Sequence, residues 1–318
     1  MQGVSTAAAP SRQHPCTDPT ADMPKKRHLT ACIRGYLPTF AARMNLVADI
    51  GNSSVKAYLF EGDTLLAQRH EAGHTLLFLS QMHSFVAEAA AAMHAHGNGG
   101  TAEVEAAVVS SVVDMPAHAT AMLSRLGVPL LHFTALTPTP LTIAYDTPHT
   151  LGSDRVAAAL GAWAQKPGRP LLIVDAGSCI TFDRVTADGT YLGGNIAPGL
   201  QARLRAIGDY FPRLPHVEAE GEAPEVGHDT PTAIRAGAVT GMRHEIEGYI
   251  CHHQAAEPGL CVFLTGGDAN HFAIAEKSNI FADPLLVPRG LNYALTHQQR
   301  RRHAPNNNDT CNPAYAPS

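Results

Sequence analysis

The sequence predicts an α/β protein made of two duplicated lobes, and three observations support this fold class. The chain has 318 residues, enough for two domains of about 150 residues each. Hydrophobic residues make up 45% and charged residues 16% of the chain, a composition typical of folded rather than disordered proteins. Short apolar strand patterns alternate with longer helical patterns, and one order of elements occurs twice. Two such lobes facing each other would enclose a cleft.

The charge balance argues against one function class, and the apolar runs exclude a membrane-spanning protein but not attachment to a membrane surface. Lys and Arg number 23 while Asp and Glu number 28, so the formal net charge is −5. A mildly acidic chain lacks the basic surface that a nonspecific nucleic-acid-binding protein needs. No apolar run approaches the ~20 residues that span a bilayer. We therefore expect no nucleic-acid partner and no membrane span.

The cysteines and histidines form no metal-binding pattern. The six cysteines include no C-x-x-C pair, which argues against a zinc site and against a disulfide framework. Scattered thiols are typical of a reducing compartment, so we expect a cytoplasmic protein. The eighteen histidines include no H-E-x-x-H motif, and we interpret them as surface residues.

The two ends of the chain differ from its middle. Residues 1–43 contain five prolines and no sustained periodicity, whereas a clear strand pattern begins at Met44. We predict that 1–43 is either a disordered extension or the product of a start codon assigned too early, which an intact mass from the native host would decide. Residues 298–318, rich in Gln, Arg, Asn and Pro, are predicted to form a loose tail. Between these ends we place one lobe at 44–165 and the other at 166–297.

The elements of the first lobe follow from local patterns. Apolar runs rich in β-branched residues predict strands, Ala-rich segments of helical period predict helices, and Glu61-Gly62-Asp63 predicts a turn. In chain order we expect strands at 45–50, 55–60 and 64–71, a helix at 80–96, a strand at 105–113, a helix at 117–126, a Pro/Thr-rich loop at 134–148 and a helix at 153–165.

The second lobe repeats the opening of the first. We expect strands at 171–176, 180–186 and 191–196, helices at 199–208 and 230–254, a strand at 261–264, and helices at 272–276 and 291–297. In each lobe the first strand ends in Asp-x-Gly followed by small hydroxyl residues. These segments are Asp49-Ile50-Gly51 with Ser53-Ser54, and Asp175-Ala176-Gly177 with Ser178. The duplication predicts that the two turns form facing walls of the cleft.

The first of these turns could bind a phosphate group. Gly51 has no Cβ, so a ligand could come close to the backbone. Asn52 tolerates unusual dihedral angles, and the two serines after it add hydroxyl donors that suit phosphate oxygens. Asp49 could hold Mg²⁺ together with substrate phosphates, and Lys56 could add a positive charge. An ordinary hairpin turn is the alternative, and for one turn alone it is the better interpretation.

A glycine pair in the second lobe adds a third feature of this kind. The string Leu264-Thr265-Gly266-Gly267-Asp268 follows a buried strand, where a nucleotide usually passes close to the backbone. The chain contains neither G-x-x-x-x-G-K-[ST] nor G-x-G-x-x-G, so it has no P-loop and no dinucleotide fingerprint. Two matched turns and this loop together favour a phosphate-binding cleft.

The string Leu151-Gly152-Ser153-Asp154-Arg155 has two possible interpretations. As a helix start, Ser153 or Asp154 would cap free amide groups and favour the helix dipole. As part of the cleft, Asp154 would accept a proton from a substrate hydroxyl and Arg155 would bind an anion with two hydrogen bonds. The spacing alone does not choose between them, and both can hold together.

Taken in order, these motifs resemble the type III pantothenate kinases of the acetate and sugar kinase, Hsc70 and actin superfamily. The resemblance covers about residues 44–297, and the ordered set is far more specific than any single turn. It rests on Asp49-Ile50-Gly51-Asn52-Ser53, Tyr145 with Pro148, Gly152-Ser153-Asp154-Arg155, Asp175-Ala176-Gly177-Ser178, Tyr191-Leu192-Gly193-Gly194-Asn195-Ile196-Ala197-Pro198-Gly199 and Thr265-Gly266-Gly267-Asp268.

The resemblance implies a fold, an activity and a site. The fold would be two actin-like (ribonuclease H-like) lobes around an ATP cleft, in a homodimer with the pantothenate site at the interface. The reaction would be ATP-dependent phosphorylation of pantothenate, the first step towards coenzyme A, with Mg²⁺ and with K⁺ or NH₄⁺. Asp154 would be the catalytic base, Asp175 would bind the monovalent cation and Asp49 the Mg²⁺. ATP would contact Asp49, Ile50, Gly51, Asn52, Ser53, Ser54, Val55, Lys56, Ser178, Gly266 and Gly267, and the substrate would contact Tyr145, Gly152, Ser153, Asp154, Arg155 and Phe211.

One departure from the family pattern keeps other functions open. Members typically have Thr-x-x-Leu-Pro where this chain has Phe211-Pro212-Arg213-Leu214-Pro215, and Phe211 cannot donate the hydrogen bond of that threonine. Losing such a bond weakens binding by roughly 1–3 kcal/mol if its partner stays unpaired. One alternative is therefore a kinase for another small hydroxyl compound. A non-catalytic ATP-binding regulator is the other, although such a protein would not need Asp154.

Overall fold

Two six-stranded sheets form the centre of the two lobes. The computed structural model describes residues 29–31, 43–52, 54–72, 81–95, 103–113, 123–272 and 279–303. The first sheet has the spatial order β1 (Leu29–Ala31), β4 (Thr64–Ala72), β3 (Ser54–Glu61), β2 (Arg43–Ile50), β5 (Glu103–Ser111) and β6 (Leu130–Phe133). The second has the order β12 (Ile280–Ala282), β11 (Cys261–Thr265), β8 (Leu171–Ala176), β9 (Cys179–Val185), β10 (Thr190–Pro198) and β7 (Thr142–Ile143).

The two sheets share one topology across five strands. In the first, β2 pairs antiparallel with β3, β3 antiparallel with β4, β2 parallel with β5, and β5 parallel with β6. In the second, β8–β9, β9–β10, β8–β11 and β11–β12 pair in the same senses. The predicted duplication of an α/β lobe is therefore confirmed.

Five helices within the described residues complete the layers. They are α1 (Met82–Ala95), α2 (Ser153–Gln165), α3 (Leu200–Tyr210), α4 (Thr230–Ala256) and α5 (Leu286–His303). The outer face of the first sheet buries the apolar side of α1, and the outer face of the second buries α3 and α4. Between the two sheets, α2 and α5 fill the central core. No helix in this part of the chain is long and apolar enough to cross a membrane.

The contact between α2 and α5 depends on two glycines. A Cβ on Gly161 would lie 2.2 Å from the carbonyl oxygen of Leu286, and one on Gly290 would lie 1.8 Å from that of Ala157. The obstructing atoms belong to helix backbones, which cannot rotate away as a side chain can. Both glycines are therefore needed for the close crossing of the helices that join the lobes.

We expect Gly290→Ala to destabilise the protein by about 1–3 kcal/mol, because the added methyl group must push α2 and α5 apart. Urea unfolding at one fixed protein concentration would measure this loss. Gly248→Ala in α4 is the matched control, since a Cβ there meets nothing within 4 Å. It should stabilise the protein by up to about 1 kcal/mol through helix propensity. Equal effects of the two changes would contradict the role given to the crossing.

The last helix differs most from its predicted bounds. It begins at Leu286 rather than 291 and continues to His303, so the predicted boundary of the tail at 298 is wrong. Pro288 lies in the first turn, where a backbone N–H has no acceptor within the helix, so it does not prevent helix formation. At the other end the Gln298 side chain donates to the Pro138 carbonyl, which holds the helix beyond 297. Residues 304–318 lie outside the described residues.

The helices also correct the predicted boundary between the lobes. Although α5 comes from the second half, Asn292 accepts a hydrogen bond from Asn45 of β2 at 2.8 Å and donates one to the Gly62 carbonyl at 2.7 Å. Conversely, α2 comes from the first half, but Arg155 forms an ion pair with Asp183 of the second sheet. A division at 165/166 therefore does not separate the lobes, because each half contributes a helix to the other.

Most of the remaining predicted helices and strands are present among the described residues, and short strands at the edges of the two sheets are additional. The other predicted strands, and the helices at 80–96, 153–165, 199–208 and 230–254, occur within a few residues of their expected bounds. Strands β1, β6, β7 and β12 were not predicted, since two to four residues carry too little periodicity. Most of the helices predicted at 117–126 and 272–276 lie outside the described residues. Of the segment 1–43, only β1 and Arg43 are described, so its assignment as an extension stays a prediction.

Candidate active site

A cleft of about 340 Å³ lies between the lobes, a volume typical of small-molecule sites. Its walls come from the β2–β3 turn, the β8–β9 turn, the loop after β11 and the start of α2. Most of the predicted site residues line it together, namely Asp49, Gly51, Asn52, Ser54, Lys56, Asp154, Arg155, Asp175, Ser178, Gly266 and Gly267. The structure therefore brings together residues that lie more than 200 positions apart in the chain.

The two predicted turns occupy equivalent places in their sheets. The amide of Gly51 donates to the Ser54 carbonyl at 2.9 Å, and the amide of Gly177 donates to the Cys179 carbonyl at 2.9 Å. A Cβ on either glycine would meet no atom closer than 3.5 Å, so the fold itself does not require glycine there. What the glycines provide is open space at the cleft wall, which a phosphate group could use.

Two further segments come close to the second turn. Gly199, just before α3, donates to the Ser178 carbonyl at 3.2 Å, so the N-terminus of α3 lies beside this turn. A helix N-terminus favours negative charge. Gly266 has a φ of +97°, and a Cβ there would lie 2.2 Å from the Ala176 carbonyl oxygen. That carbonyl accepts the amide of Asp268 at 2.9 Å, which fixes the glycine loop against β8.

Three aspartates line the cleft, and burial raises the pKa of each. Removal from water raises the pKa of Asp49 to about 6; Lys56 opposes this rise and Asp154 adds to it. Removal from water raises the pKa of Asp175 to about 7, and the charge of Asp154 adds more to this rise than that of any other neighbouring carboxylate. Burial also raises the pKa of Asp154, while the amide of Arg155 opposes the rise. The cleft thus holds more negative charge than Lys56 offsets, which favours cation binding.

The start of α2 resolves the two interpretations of 152–155. The N-cap is Gly152 and makes no side-chain capping bond. Ser153 shares a hydrogen bond of 2.8 Å with the buried Ser110 hydroxyl, so it fixes the helix to β5 instead of capping it. Asp154 accepts the amide of Arg155 at 2.8 Å and its side chain faces the cleft. The helix start therefore presents a carboxylate to the space between the lobes.

A buried network fixes the guanidinium of Arg155. Its Nε donates to Asp183 Oδ1 at 3.1 Å and its Nη2 donates to the same oxygen at 2.5 Å. The Tyr191 hydroxyl donates to this carboxylate at 2.7 Å, and Asp183 is fully buried. The ring of Tyr145 lies 5.9 Å from the guanidinium carbon. Burial lowers the pKa of Arg155, but the hydrogen bonds and charge of Asp183, with smaller contributions from Tyr191 and Tyr145, raise it overall, so the side chain stays charged.

Several predicted residues lie elsewhere. The side chains of Ile50 and Val55 are buried in the core under α1, so in the predicted ATP loop only the backbone of these two residues could face a ligand. Ser53 lies outside the described residues. Gly152 and Ser153 line a neighbouring pocket rather than the cleft. Phe211 ends α3 and is 55% exposed, outside both pockets.

Sequence reasoning missed residues that line or support the cleft. Asp183 and Thr181 lie on β9, and Tyr58 lies on β3 beside Asp49. A signal for Asp183 exists in the sequence, because a charged residue inside an apolar strand is costly unless it is paired. Thr181 and Tyr58 carry no comparable signal, since both residue types are common in strands.

Comparisons with known proteins show the family to which the chain belongs. A family model described as Type III pantothenate kinase matches residues 45–252. A protein of that name from Bacteroides fragilis is 42% identical over 258 residues, covering 81% of this chain and 100% of that protein. One from Phocaeicola vulgatus is 40% identical over 257 residues with the same coverages, 81% and 100%. Among solved structures, a Baf family transcriptional activator from Campylobacter jejuni has a TM-score of 0.49 and 21% identity, over 80% of this chain and 99% of that one.

Proposed function

Since the chain belongs to the type III pantothenate kinase family, we infer that its cleft is where ATP phosphorylates pantothenate. The chain is an enzyme that transfers the γ-phosphoryl group of ATP to pantothenate in coenzyme A biosynthesis. The observation that carries the site assignment is that two glycine turns, a glycine loop and Asp154 meet in one cleft. The roles of single residues, described next, are the proposal.

Asp154 acts as the general base in this proposal. It lies at the start of α2 with its carboxylate facing the cleft, so it can accept the proton of the pantothenate hydroxyl as the oxygen attacks the γ-phosphorus. The bond between that phosphorus and the bridging oxygen breaks, and ADP leaves. The two turns and Lys56 hold the phosphates, and phosphoryl transfer depends mainly on such positioning and charge neutralisation. Arg155, fixed by Asp183, binds the substrate carboxylate.

Asp49 and Asp175 suit the cations that the family implies. The donors they offer are carboxylate oxygens in a cleft with excess negative charge, which hard cations prefer. No three His, Cys, Asp or Glu side chains of the described residues form a metal site on their own. Mg²⁺ usually takes only one or two carboxylates plus substrate phosphates, so Asp49 is sufficient on the protein side. Mg²⁺ would neutralise charge on the phosphates, and a K⁺ or NH₄⁺ ion would do so beside Asp175.

A homodimer completes the proposed substrate site. Large apolar side chains are exposed on β10, at Leu192 (50%) and Ile196 (60%), and at the end of α3, at Tyr210 and Phe211. Exposed apolar surface of this kind favours burial against a partner chain. In a dimer the exposed Phe211 could then face the pantothenate of the other protomer.

The free thiols support a cytoplasmic location for the reaction. Cys179, Cys251 and Cys261 are unpaired within the described part of the chain, and Cys179 lines the cleft. Reduced cysteines at a nucleotide site suit a reducing compartment.

Phe211 supports a second candidate, a related kinase for another small hydroxyl compound. Because Phe211 replaces a hydrogen-bonding threonine, pantothenate could be bound more weakly than usual. A Phe211→Thr chain separates the cases, since it should lower the KM for pantothenate if that compound is the substrate.

The full chain with Mg-ATP should release ADP only when pantothenate is present, and faster with K⁺ than with Na⁺ as the sole monovalent cation. The physical reason is that K⁺ would offset the charge of Asp175 near the transferring phosphate. A coupled ADP assay measures this at constant ionic strength. ADP release that does not depend on pantothenate would contradict the assignment of pantothenate as the substrate. Equal rates in K⁺ and Na⁺ would contradict the proposed cation site at Asp175.

A further inference from the structure

The hydroxyl of Thr181 is buried in the cleft wall and has no hydrogen-bond partner among the described residues. Thr181 is 9% exposed, and its Oγ1 makes no hydrogen bond to any described residue. Four buried side-chain atoms in the described residues share this condition, and Thr181 is the one among them that lines the cleft. A buried hydroxyl left unpaired is unfavourable, so such a group in a ligand site points to a missing ligand.

Thr181 lies directly opposite Asp175. The two residues are register partners across β8 and β9, so their side chains share one face of the sheet. On the other side of Asp175, Thr265 of β11 is its register partner. The result is a row of three oxygen-bearing side chains across three neighbouring strands, with the carboxylate in the middle.

The duplicated lobe has a different residue at the equivalent place. In the first sheet the partner of Asp49 on the next strand is Lys56, whose ammonium group offsets the Asp49 charge. In the second sheet the partner of Asp175 at that place is the neutral Thr181. The second lobe therefore has no ammonium group opposite Asp175, whereas the first lobe has that of Lys56 opposite Asp49.

We propose that Thr181 is a direct ligand of the monovalent cation at Asp175, and that this bound cation takes the electrostatic place that the Lys56 ammonium holds in the first lobe. The inference rests on the cation site of the proposed function. A phosphate oxygen is the other ligand that a free hydroxyl could bind. The cation is favoured because Thr181 is the register partner of Asp175, so a ligand shared by the two side chains would lie against a carboxylate, which attracts a cation and repels a phosphate oxygen.

The test measures cation binding rather than turnover. The full chain is unfolded thermally with saturating Mg-ATP and without pantothenate, while KCl replaces choline chloride at constant ionic strength. Wild type should gain Tm with K⁺. Thr181→Val keeps the shape but removes the hydroxyl, so the Kd for K⁺ should rise about 10-fold or more. Thr181→Ser keeps the hydroxyl and should retain the response. In choline, Thr181→Val should be at least as stable as wild type, because it removes an unpaired polar group.

The outcomes separate this inference from the proposed function. If wild type shows no Tm change with K⁺ but keeps its pantothenate-dependent turnover, the cation site at Asp175 and this inference are both wrong. The proposed kinase activity would still hold. A Thr181→Val chain with an unchanged K⁺ response, or with weakened ATP binding alone, would overturn the inference and leave Asp175 as the cation ligand. Should Thr181→Val not fold, Thr181→Ala must show the same loss. A folded Thr181→Lys chain that still gains Tm from K⁺ would also contradict the proposal, because the ammonium group of the introduced lysine should fill the cation site beside Asp175.

Discussion

Replacing Asp154 with asparagine should lower kcat by about 10²–10⁴-fold, the usual contribution of a general base. The amide has nearly the same shape but cannot take the proton of the attacking hydroxyl. Folding should not suffer, because the change removes a charge that raises the pKa of both Asp49 and Asp175. The measurement is pantothenate-dependent ADP release under saturating Mg-ATP.

Cysteine alkylation provides a separate readout of ATP binding in the same variant. Cys179 is exposed and lines the cleft, whereas Cys251 is exposed on α4 and does not line it. ATP should slow alkylation of Cys179 but not of Cys251, in wild type and in Asp154→Asn alike. Asp63→Asn, on an exposed turn, controls for loss of a carboxylate and should keep full turnover. An Asp154→Asn chain that turns over normally would exclude Asp154 as the base.

Replacing Asp183 with asparagine should cost about 3–5 kcal/mol of folding free energy, because it leaves the buried Arg155 charge without its counter-ion. Arg155 is 7% exposed, and among the described residues its guanidinium forms an ion pair with Asp183 alone. A loss of this size is a large fraction of the 5–15 kcal/mol typical of a folded domain. Urea unfolding at fixed protein concentration and saturating KCl measures it, and the KM for pantothenate should rise as Arg155 loses its fixed position.

The exposed pair of Arg43 and Glu105 is the matched control. Its nitrogen and oxygen lie 3.3 Å apart and both side chains are open to solvent, so Glu105→Gln should change the stability by less than about 1 kcal/mol. Tyr191→Phe removes one hydrogen bond to Asp183 and should fall between the two, at about 1–3 kcal/mol. If Asp183→Asn were no worse than Glu105→Gln, the network would not be what holds Arg155.

Most of the candidate site could be predicted from the sequence because its chemistry resides in local strings. An Asp-x-Gly string spans only three residues, and its recurrence in each half predicted the duplication. The string alone did not separate the residues of the first turn by side-chain direction, although alternation along a strand sends neighbouring residues to opposite faces. Asp49 and Lys56 face the cleft, so Ile50 and Val55 face the core.

By itself the sequence determined the α/β class, the doubled order of elements, the family and the residues of the two turns, since each is carried by short local strings and their order along the chain. Only the tertiary structure decided which helix packs against which sheet, and that Thr181 lies opposite Asp175 with a free hydroxyl. Residues far apart in the chain meet where α2 crosses α5 at Gly161 and Gly290. They also meet in the ion pair between Arg155 and Asp183. Such contacts depend on complementary shape and charge between segments that are distant in sequence, so no local sequence pattern predicts them.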